Sequence, residues 1–291
     1  MKKIIVLGAN GMAGHIVTIG LRAESEKYSV IAISRTDNAI KPDLLMEVSD
    51  FATLKKTIQT IQADAIINCV GLLNQTAEDN IDQAILINSY LPHFLETVTK
   101  NTSTKVIHIS TDCVFSGYKG GYIETDIRDG KGFYAQSKAL GEIINDKDLT
   151  IRTSIIGPEL KDNGIGLFHW FSKQHGDING FTHSFWSGVT TIELLKFIKA
   201  AIEENISGLY HLVYGKKTSK FQLLKTMADC FDRKNLILHE KEDYKIDKSL
   251  VNTRKDIQYA VPNYETMILE MKNWIQNHPQ LYPHYQHLFK Q

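Results

Sequence analysis

Tyr134-Ala135-Gln136-Ser137-Lys138 sets a phenol and an ammonium four residues apart. On a helix, positions i and i+4 share a face about 6 Å apart along the axis, so the ammonium can sit below the phenol. A phenol of pKa about 10 is a poor acid or base near neutrality. Lowering it by two to three units asks for roughly 3–4 kcal/mol of favourable interaction with the phenolate, which a nearby ammonium and the positive charge of an oxidised nicotinamide can supply. Thr111, in Ser110-Thr111-Asp112, precedes Tyr134 by 23 residues and offers a hydroxyl to hold a carbonyl oxygen. The chemistry on offer is proton transfer to a carbonyl under reduction. The spacing alone carries little: with 12 Tyr in 291 residues it arises about once by chance, and it recurs at Tyr244 and Lys248. Position separates the two, because Tyr134 begins a helical segment just after a strand and its loop, whereas Tyr244 lies in the charged run 240–247, which has no apolar face. The plainer alternative for Tyr134 and Lys138 is a core tyrosine beside a surface lysine.

Gly8-Ala9-Asn10-Gly11-Met12-Ala13-Gly14, a GxxGxxG, follows an apolar run and opens a segment of helical period. Glycine at the first two positions allows a sharp turn and close backbone approach to a pyrophosphate, whose charge is met by the orphan N–H groups and positive end of the helix; the third allows close packing of helix on strand. A tight turn without a ligand is the alternative. In dinucleotide sites the residue ending the second strand, about 20 positions on, separates NAD from NADP. That place holds Ser34-Arg35, with no carboxylate for a ribose 2′-hydroxyl and a guanidinium suited to a 2′-phosphate. NADPH is the expected cofactor; NADH is admitted if Arg35 is merely solvated and Asp37 or Asp50 supplies an acidic contact.

These groups need a scaffold. The β-branched runs 4–7, 30–34, 65–70, 105–110 and 150–156 lack polar alternation and read as strands buried on both faces. Between them, 12–22, 51–61, 81–98 and 134–144 carry apolar residues at helical spacing. The alternation predicts an α/β protein with a doubly wound parallel sheet. Past residue 157 the pattern loosens; 191–202 reads as a helix, 208–213 as a strand returning to the sheet, and 219–231 and 264–275 as helices outside it. The expected division is 1–156 with about 189–215 as a dinucleotide-binding domain, and 157–188 with 216–291 as a smaller C-terminal substrate-binding domain. No linker rich in Gly, Ser or Pro separates them, so tight packing with a cleft between them is expected.

The 33 Lys+Arg balance 33 Asp+Glu, which argues against a nucleic-acid partner held by broad phosphate neutralisation. Cys69, Cys113 and Cys230 are odd in number and far apart, excluding a disulfide framework and a CxxC zinc site. The apolar run after Lys2-Lys3 is too short for a signal-peptide core, and no stretch approaches the roughly 20 apolar residues of a membrane span. A cytoplasmic protein without a membrane partner is expected. His278, His284 and His287 lack carboxylate partners and i,i+4 pairing, so they read as terminal surface residues and no metal site is expected. His169, Trp170, His183, Phe185 and Trp186 could line a cleft or simply pack the smaller unit.

Gly8, Gly11, Gly14, Thr111, Tyr134 and Lys138, in this order on a doubly wound sheet, resemble the extended short-chain dehydrogenase/reductase family. Ile109-Ser110-Thr111-Asp112-Cys113-Val114-Phe115-Ser116-Gly117, followed by Gly121-Tyr122-Ile123-Glu124-Thr125-Asp126 and then Tyr134, is similar to its dTDP-4-dehydrorhamnose reductase branch, in which the strand reads Ser-Thr-Asp-Tyr-Val-Phe and the loop ends in Tyr-x-Glu-x-Asp. Ile67-Asn68-Cys69-Val70-Gly71, Asn88 and Gly208-Leu209-Tyr210-His211-Leu212 fit the same branch, so that about residues 1–215 are covered.

The resemblance implies a Rossmann-type fold with Thr111, Tyr134 and Lys138 as catalytic residues and Tyr134 as proton donor. It places Gly8, Asn10, Gly11 and Met12 at the pyrophosphate, Ser34 and Arg35 at the adenosine ribose, Glu47 and Val48 at the adenine, and Cys69, Val70 and Gly71 at the cofactor's central part, with Ser110, Tyr134 and Lys138 also touching the cofactor. Cys113, Val114, Phe115, Phe185 and Trp186 would lie beside the substrate. The implied activity is NAD(P)H-dependent reduction of the 4-keto group of a deoxysugar attached to a nucleoside diphosphate, in cell-surface polysaccharide or deoxysugar biosynthesis, with a homodimer as one admissible assembly. Cys113 stands where the branch has tyrosine, the loop between Thr111 and Tyr134 is one residue shorter, and 181–188 differs from the branch's substrate segment. A UDP-linked N-acetyl deoxysugar therefore fits as well as a dTDP-linked one. Two alternatives share the fold: a non-catalytic NADP-binding regulatory subunit, against which the intact Thr111, Tyr134 and Lys138 argue, and an epimerase or dehydratase of a nucleotide sugar.

Overall fold

In the computed structural model, which describes residues 1–289, strand β1 (Lys2–Leu7) leads into helix α1 (Met12–Arg22), then β2 (Tyr28–Ser34), the two-residue β3 (Leu44–Leu45), α2 (Phe51–Ile61) and β4 (Ala65–Asn68). There follow α3 (Asn74–Asp79), α4 (Ile81–Ala84), a π-helical segment Ile85–Tyr90 and α5 (Leu91–Thr99), then β5 (Lys105–Thr111), α6 (Phe133–Leu140) and β6 (Leu149–Thr153). With Gly208–His211 these strands make a seven-stranded parallel sheet in the order Gly208–His211, β6, β5, β4, β1, β2, β3. Ile4 to Leu7, Ile66, Ile67, Val106 and Ile107 are wholly buried, as strands covered by helices on both faces must be. The strand order reverses at β1, which lies between β4 and β2. Such a reversal opens a crevice outside the carboxyl ends of the strands, where the turn after β1 emerges.

Several expected boundaries move, each for a physical reason. The strand expected to reach residue 70 stops at Asn68, whose side chain accepts the Val70 N–H at 3.1 Å and turns the chain out of the sheet. The helix expected over 81–98 contains the π segment. The helix expected to reach residue 144 stops at Leu140, capped by Gly141, because Glu142 turns inward to meet Arg152. The strand expected over 150–156 breaks after Thr153, and Ile155–Ile156 pairs instead with Val189–Thr190.

The chain forms two compact units, Met1–Ser116 with Ile127–Arg152 and Leu195–Tyr210, and Gly117–Asp126 with Thr153–Leu194 and the residues from His211 on. Segment 117–126 joins the second unit because Tyr122 pairs through its backbone with Ser249 and Val251, and Glu124 accepts hydrogen bonds from the Thr253 N–H and hydroxyl. The Tyr122 hydroxyl accepts from the N–H groups of Gly117 and Lys119, folding the segment on itself. This unit also holds two parallel strands that sequence patterning misses, Gly176–Phe181 and Leu236–Lys241, and a short helix, Leu167–Ser172. His169 and Trp186 are each 2% exposed, and His169 lies 2.8 Å from the Tyr285 hydroxyl, so these two pack the unit. The C-terminal histidines are tethers rather than loose surface residues: His284 and His287 bond the carbonyls of Glu159 and Ser172, and His278 stacks on Trp274. Among the described residues no helix is long and apolar enough to cross a membrane.

Candidate active site

The turn after β1 is built from backbone. Gly8 has φ +80°, a left-handed conformation, and a Cβ there would stand 3.0 Å from Val70 Cγ2. A Cβ on Gly14 would overlap the Gly8 carbonyl, so α1 can approach β1 only with glycine there. Gly11 caps α1 without a side-chain hydrogen bond, leaving the first N–H groups of an eleven-residue helix open to an anion. This cradle fits a diphosphate. Asn10 instead braces the neighbouring loop: its Nδ2 lies 3.2 Å from Ser34 Oγ and 2.9 Å from the Ile40 carbonyl, and its Oδ1 accepts the Ile40 N–H at 3.0 Å. The Ser34 hydroxyl donates to the Thr36 carbonyl at 2.9 Å, so both side chains shape residues 34–40. Arg35, next in line, is exposed and has no ion-pair partner among the described residues. Glu47 is exposed while Val48 packs into the core beside Leu54. Cys69 and Val70 are half-buried and Gly71 is exposed. Their loop is held by Asn88 of the π segment, whose amide bonds both the N–H and the carbonyl of Leu72 at 2.9 Å and reaches Ser137 Oγ at 3.1 Å.

The carboxyl end of β5 and the start of α6 are built from side chains. Glu78 of α3 accepts the N–H groups of Phe133 and Tyr134, each at 3.1 Å, so a carboxylate 56 residues away in sequence fixes where α6 begins. Tyr134 is half-buried and Thr111 is 8% exposed. Thr111 Oγ1 accepts the Cys113 N–H at 3.1 Å and lies 3.2 Å from Asp112 Oδ1, and its hydroxyl acts on the Tyr134 phenol. Burial pushes the Tyr134 phenol above the usual tyrosine range; Cys113 adds to this, the bond with Thr111 opposes it, and Asp112 adds again. The phenol is thus protonated throughout the neutral range, the state a proton donor needs.

Lys138, 4% exposed, departs from expectation. Its Nζ lies 2.7 Å from the Ile109 carbonyl and 3.3 Å from His108 Nε2, and the Tyr134 phenol is raised rather than lowered in the protein alone because desolvation dominates. Burial also pulls Lys138 down to about 8, against the opposing influence of Glu142 and then Cys69. The Cys69 thiol is pushed up by burial to about 12, with Lys138 opposing, and stays protonated. The second tyrosine–lysine pair makes no such site: Tyr244 is exposed, lies outside any helix and packs on Phe181 at 5.3 Å between ring centroids.

Ser110 donates to Glu142 Oε1 at 2.7 Å, and Glu142 also takes two bonds from the buried Arg152, at 2.8 and 2.6 Å, and one from Arg128 at 3.1 Å. Burial pushes the Glu142 carboxyl up, but Arg152, Ser110 and Arg128 together hold it below the usual carboxylate range. Val114 and Phe115 are wholly buried, Phe115 lying under the Arg152 guanidinium at 4.9 Å; of the three residues after Asp112, only Cys113 presents a half-exposed side chain. Thr111, Cys113, Tyr134 and Lys138 thus come together at one end of the first unit. Phe185, half-buried under Lys217, and Trp186, buried under Lys220, belong to the second. Sequence reasoning missed Glu78, His108, Glu142 and Arg152, which no spacing connects to Tyr134.

The family profile described as RmlD substrate binding domain matches residues 1–257. The chain belongs to this family. The spore coat polysaccharide biosynthesis protein SpsK of Bacillus subtilis is 31% identical over 161 residues, 53% of this chain and 53% of SpsK. A dTDP-4-dehydrorhamnose reductase of Aggregatibacter actinomycetemcomitans is 25% identical over 225 residues, 72% of this chain and 73% of that one. In three dimensions, a dTDP-4-dehydrorhamnose reductase of Bacillus anthracis solved in complex with NADP matches with a TM-score of 0.81 at 20% identity, covering 94% of this chain and 98% of the other, and so shares the fold. In this RmlD-family chain the profile match ends before the helix Tyr264–Asn277.

Proposed function

We propose that this RmlD-family chain is a cytoplasmic NADPH-dependent reductase of a 4-keto deoxysugar attached to a nucleoside diphosphate. The observation that carries the reading is the protonated Tyr134 phenol beside the Thr111 hydroxyl and one helical turn from the buried Lys138, in the same unit as a glycine turn shaped for a diphosphate. Two adjoining hydroxyls can both reach one carbonyl oxygen. They polarise the C=O, and as its oxygen gains electron density the Tyr134 proton passes to it. A bound nicotinamide cofactor supplies the hydride. Lys138, one turn along α6, is the cation placed to stabilise the phenolate left behind, and the unpartnered Arg35 is the group for a 2′-phosphate.

The substrates named for the relatives support a sugar nucleotide, and the test presents dTDP- and UDP-linked 4-keto sugars to the full chain while NADPH oxidation is followed. Turnover with at least one is expected. Stoichiometric capture of another protein, with NADPH bound but no sugar reduced, would overturn the reading in favour of a regulatory subunit.

A further inference from the structure

A buried polar chain runs behind Tyr134 and Lys138, and no step of the reduction uses it. Asn68 at the end of β4 and His108 within β5 are wholly buried. Asn68 Nδ2 lies 3.2 Å from His108 Nδ1, and His108 Nε2 lies 3.3 Å from Lys138 Nζ. The far end is anchored on backbone, where the Val70 N–H meets Asn68 Oδ1 at 3.1 Å. A backbone N–H can only donate, so the amide atom facing it is the oxygen, which settles the orientation of the Asn68 amide. The Asn68 nitrogen, a donor only, then faces Nδ1, and Nδ1 must carry a lone pair. Burial, reinforced by Lys138 and then His93, holds His108 well below the usual histidine range, so the ring is neutral and its one proton sits on Nε2. That proton points at Lys138 Nζ. An ammonium has no lone pair to receive it; a free amine has one, and can still donate to the Ile109 carbonyl at 2.7 Å.

We propose that Asn68 and His108 are positioning residues that lock the imidazole as its Nε2–H tautomer, dock Lys138 on β5, and make its ammonium easier to deprotonate in the ligand-free protein. The direction agrees with the pull of burial on Lys138 to about 8. The other charged or titratable neighbours do not supply it. Glu142, from the turn after α6, and Cys69, after β4, favour the ammonium. Glu78 of α3 binds the opposite end of α6, Asp112 and Cys113 act on Tyr134, Asp82 of α4 is exposed, and the π segment presents the neutral Asn88 and Ser89.

Nuclear magnetic resonance of the full ligand-free chain tests this independently of turnover, so the outcome stands whether or not any nucleotide sugar is reduced. The His108 nitrogen shifts should show Nε2 protonated and Nδ1 bare from about pH 6 to about pH 9. The Lys138 side-chain carbon and nitrogen signals should titrate well below the ordinary lysine range. In Asn68→Asp the carboxylate can only accept, so Nδ1 takes the proton, Nε2 becomes an acceptor, and the Lys138 midpoint rises by about one pH unit or more. A purely structural Asn68 would leave the tautomer unchanged in the folded variant. Nδ1–H in the native protein, or Asn68→Asp leaving tautomer and midpoint as they were, overturns the proposal; should the variant not fold, the native tautomer decides alone.

Discussion

The turn after β1 and the junction of β5 with α6 lie in one unit and are built by opposite means. The turn is seven contiguous residues whose function resides in what side chains they lack: Gly8 and Gly14 admit backbone where a Cβ would collide, and α1 begins without a side-chain cap. It attracts charge with N–H dipoles and buries no ion. The junction relies on side chains from remote segments. Glu78 sets the start of α6, Asn88 ties α6 to the loop after β4, His108 holds Lys138, and Ser110 hangs from the Glu142–Arg152 pair. A site made of backbone tolerates neighbours changing and fails when a methyl is inserted. A site made of buried polar side chains fails when any partner is removed, because the group left behind has no water to turn to.

That contrast can be broken in four ways. Tyr134→Phe should lower turnover by about 10²–10⁴-fold, with NADPH affinity little changed, because the turn does not depend on the phenol; steady-state kinetics beside a binding titration would show otherwise if both fell together. Glu142→Leu takes the carboxylate from the Arg152 guanidinium, 1% exposed, and should cost about 3–5 kcal/mol in urea unfolding, much of it recovered by adding Arg152→Met. A loss under about 1 kcal/mol would mean that the junction does not rest on this pair. Gly14→Ala presses a methyl into the Gly8 carbonyl and should cost about 1–3 kcal/mol while weakening NADPH binding; an unchanged melting curve and dissociation constant would remove the steric account of the turn. The smallest change is Arg35→Ala, expected to weaken NADPH about tenfold and leave NADH nearly unaffected. Equal losses for the two cofactors would reject the 2′-phosphate role.

Legibility in the sequence follows the same line. The alternation of β-branched runs with helical periods was enough to anticipate the sheet and most of its helices, since burial on both faces removes polar alternation wherever it occurs. The π segment went unseen because Ile85 to Tyr90 keeps an apolar period, and only in the fold does it set Asn88 between Leu72 and Ser137. Strands Gly176–Phe181 and Leu236–Lys241 carry mixed polarity and pair with each other across about 60 residues, so neither announces itself locally. The Tyr-x-Glu-x-Asp segment was legible as a motif but not as a structure: Tyr122 and Glu124 act on residues 249–253, which move it to the second unit.

The sequence by itself determined the layered α/β plan, the tight glycine turn after β1 and which of two tyrosine–lysine pairs could sit on a helix, because periodicity and backbone sterics are properties of neighbours along the chain. Tertiary structure alone decided the protonation of the site. Tyr134 is raised, Lys138 is lowered and His108 is held neutral because burial acts on all three, against Thr111 at Tyr134 and Glu142 at Lys138, and desolvation depends on what distant segments stack around a group rather than on what precedes it.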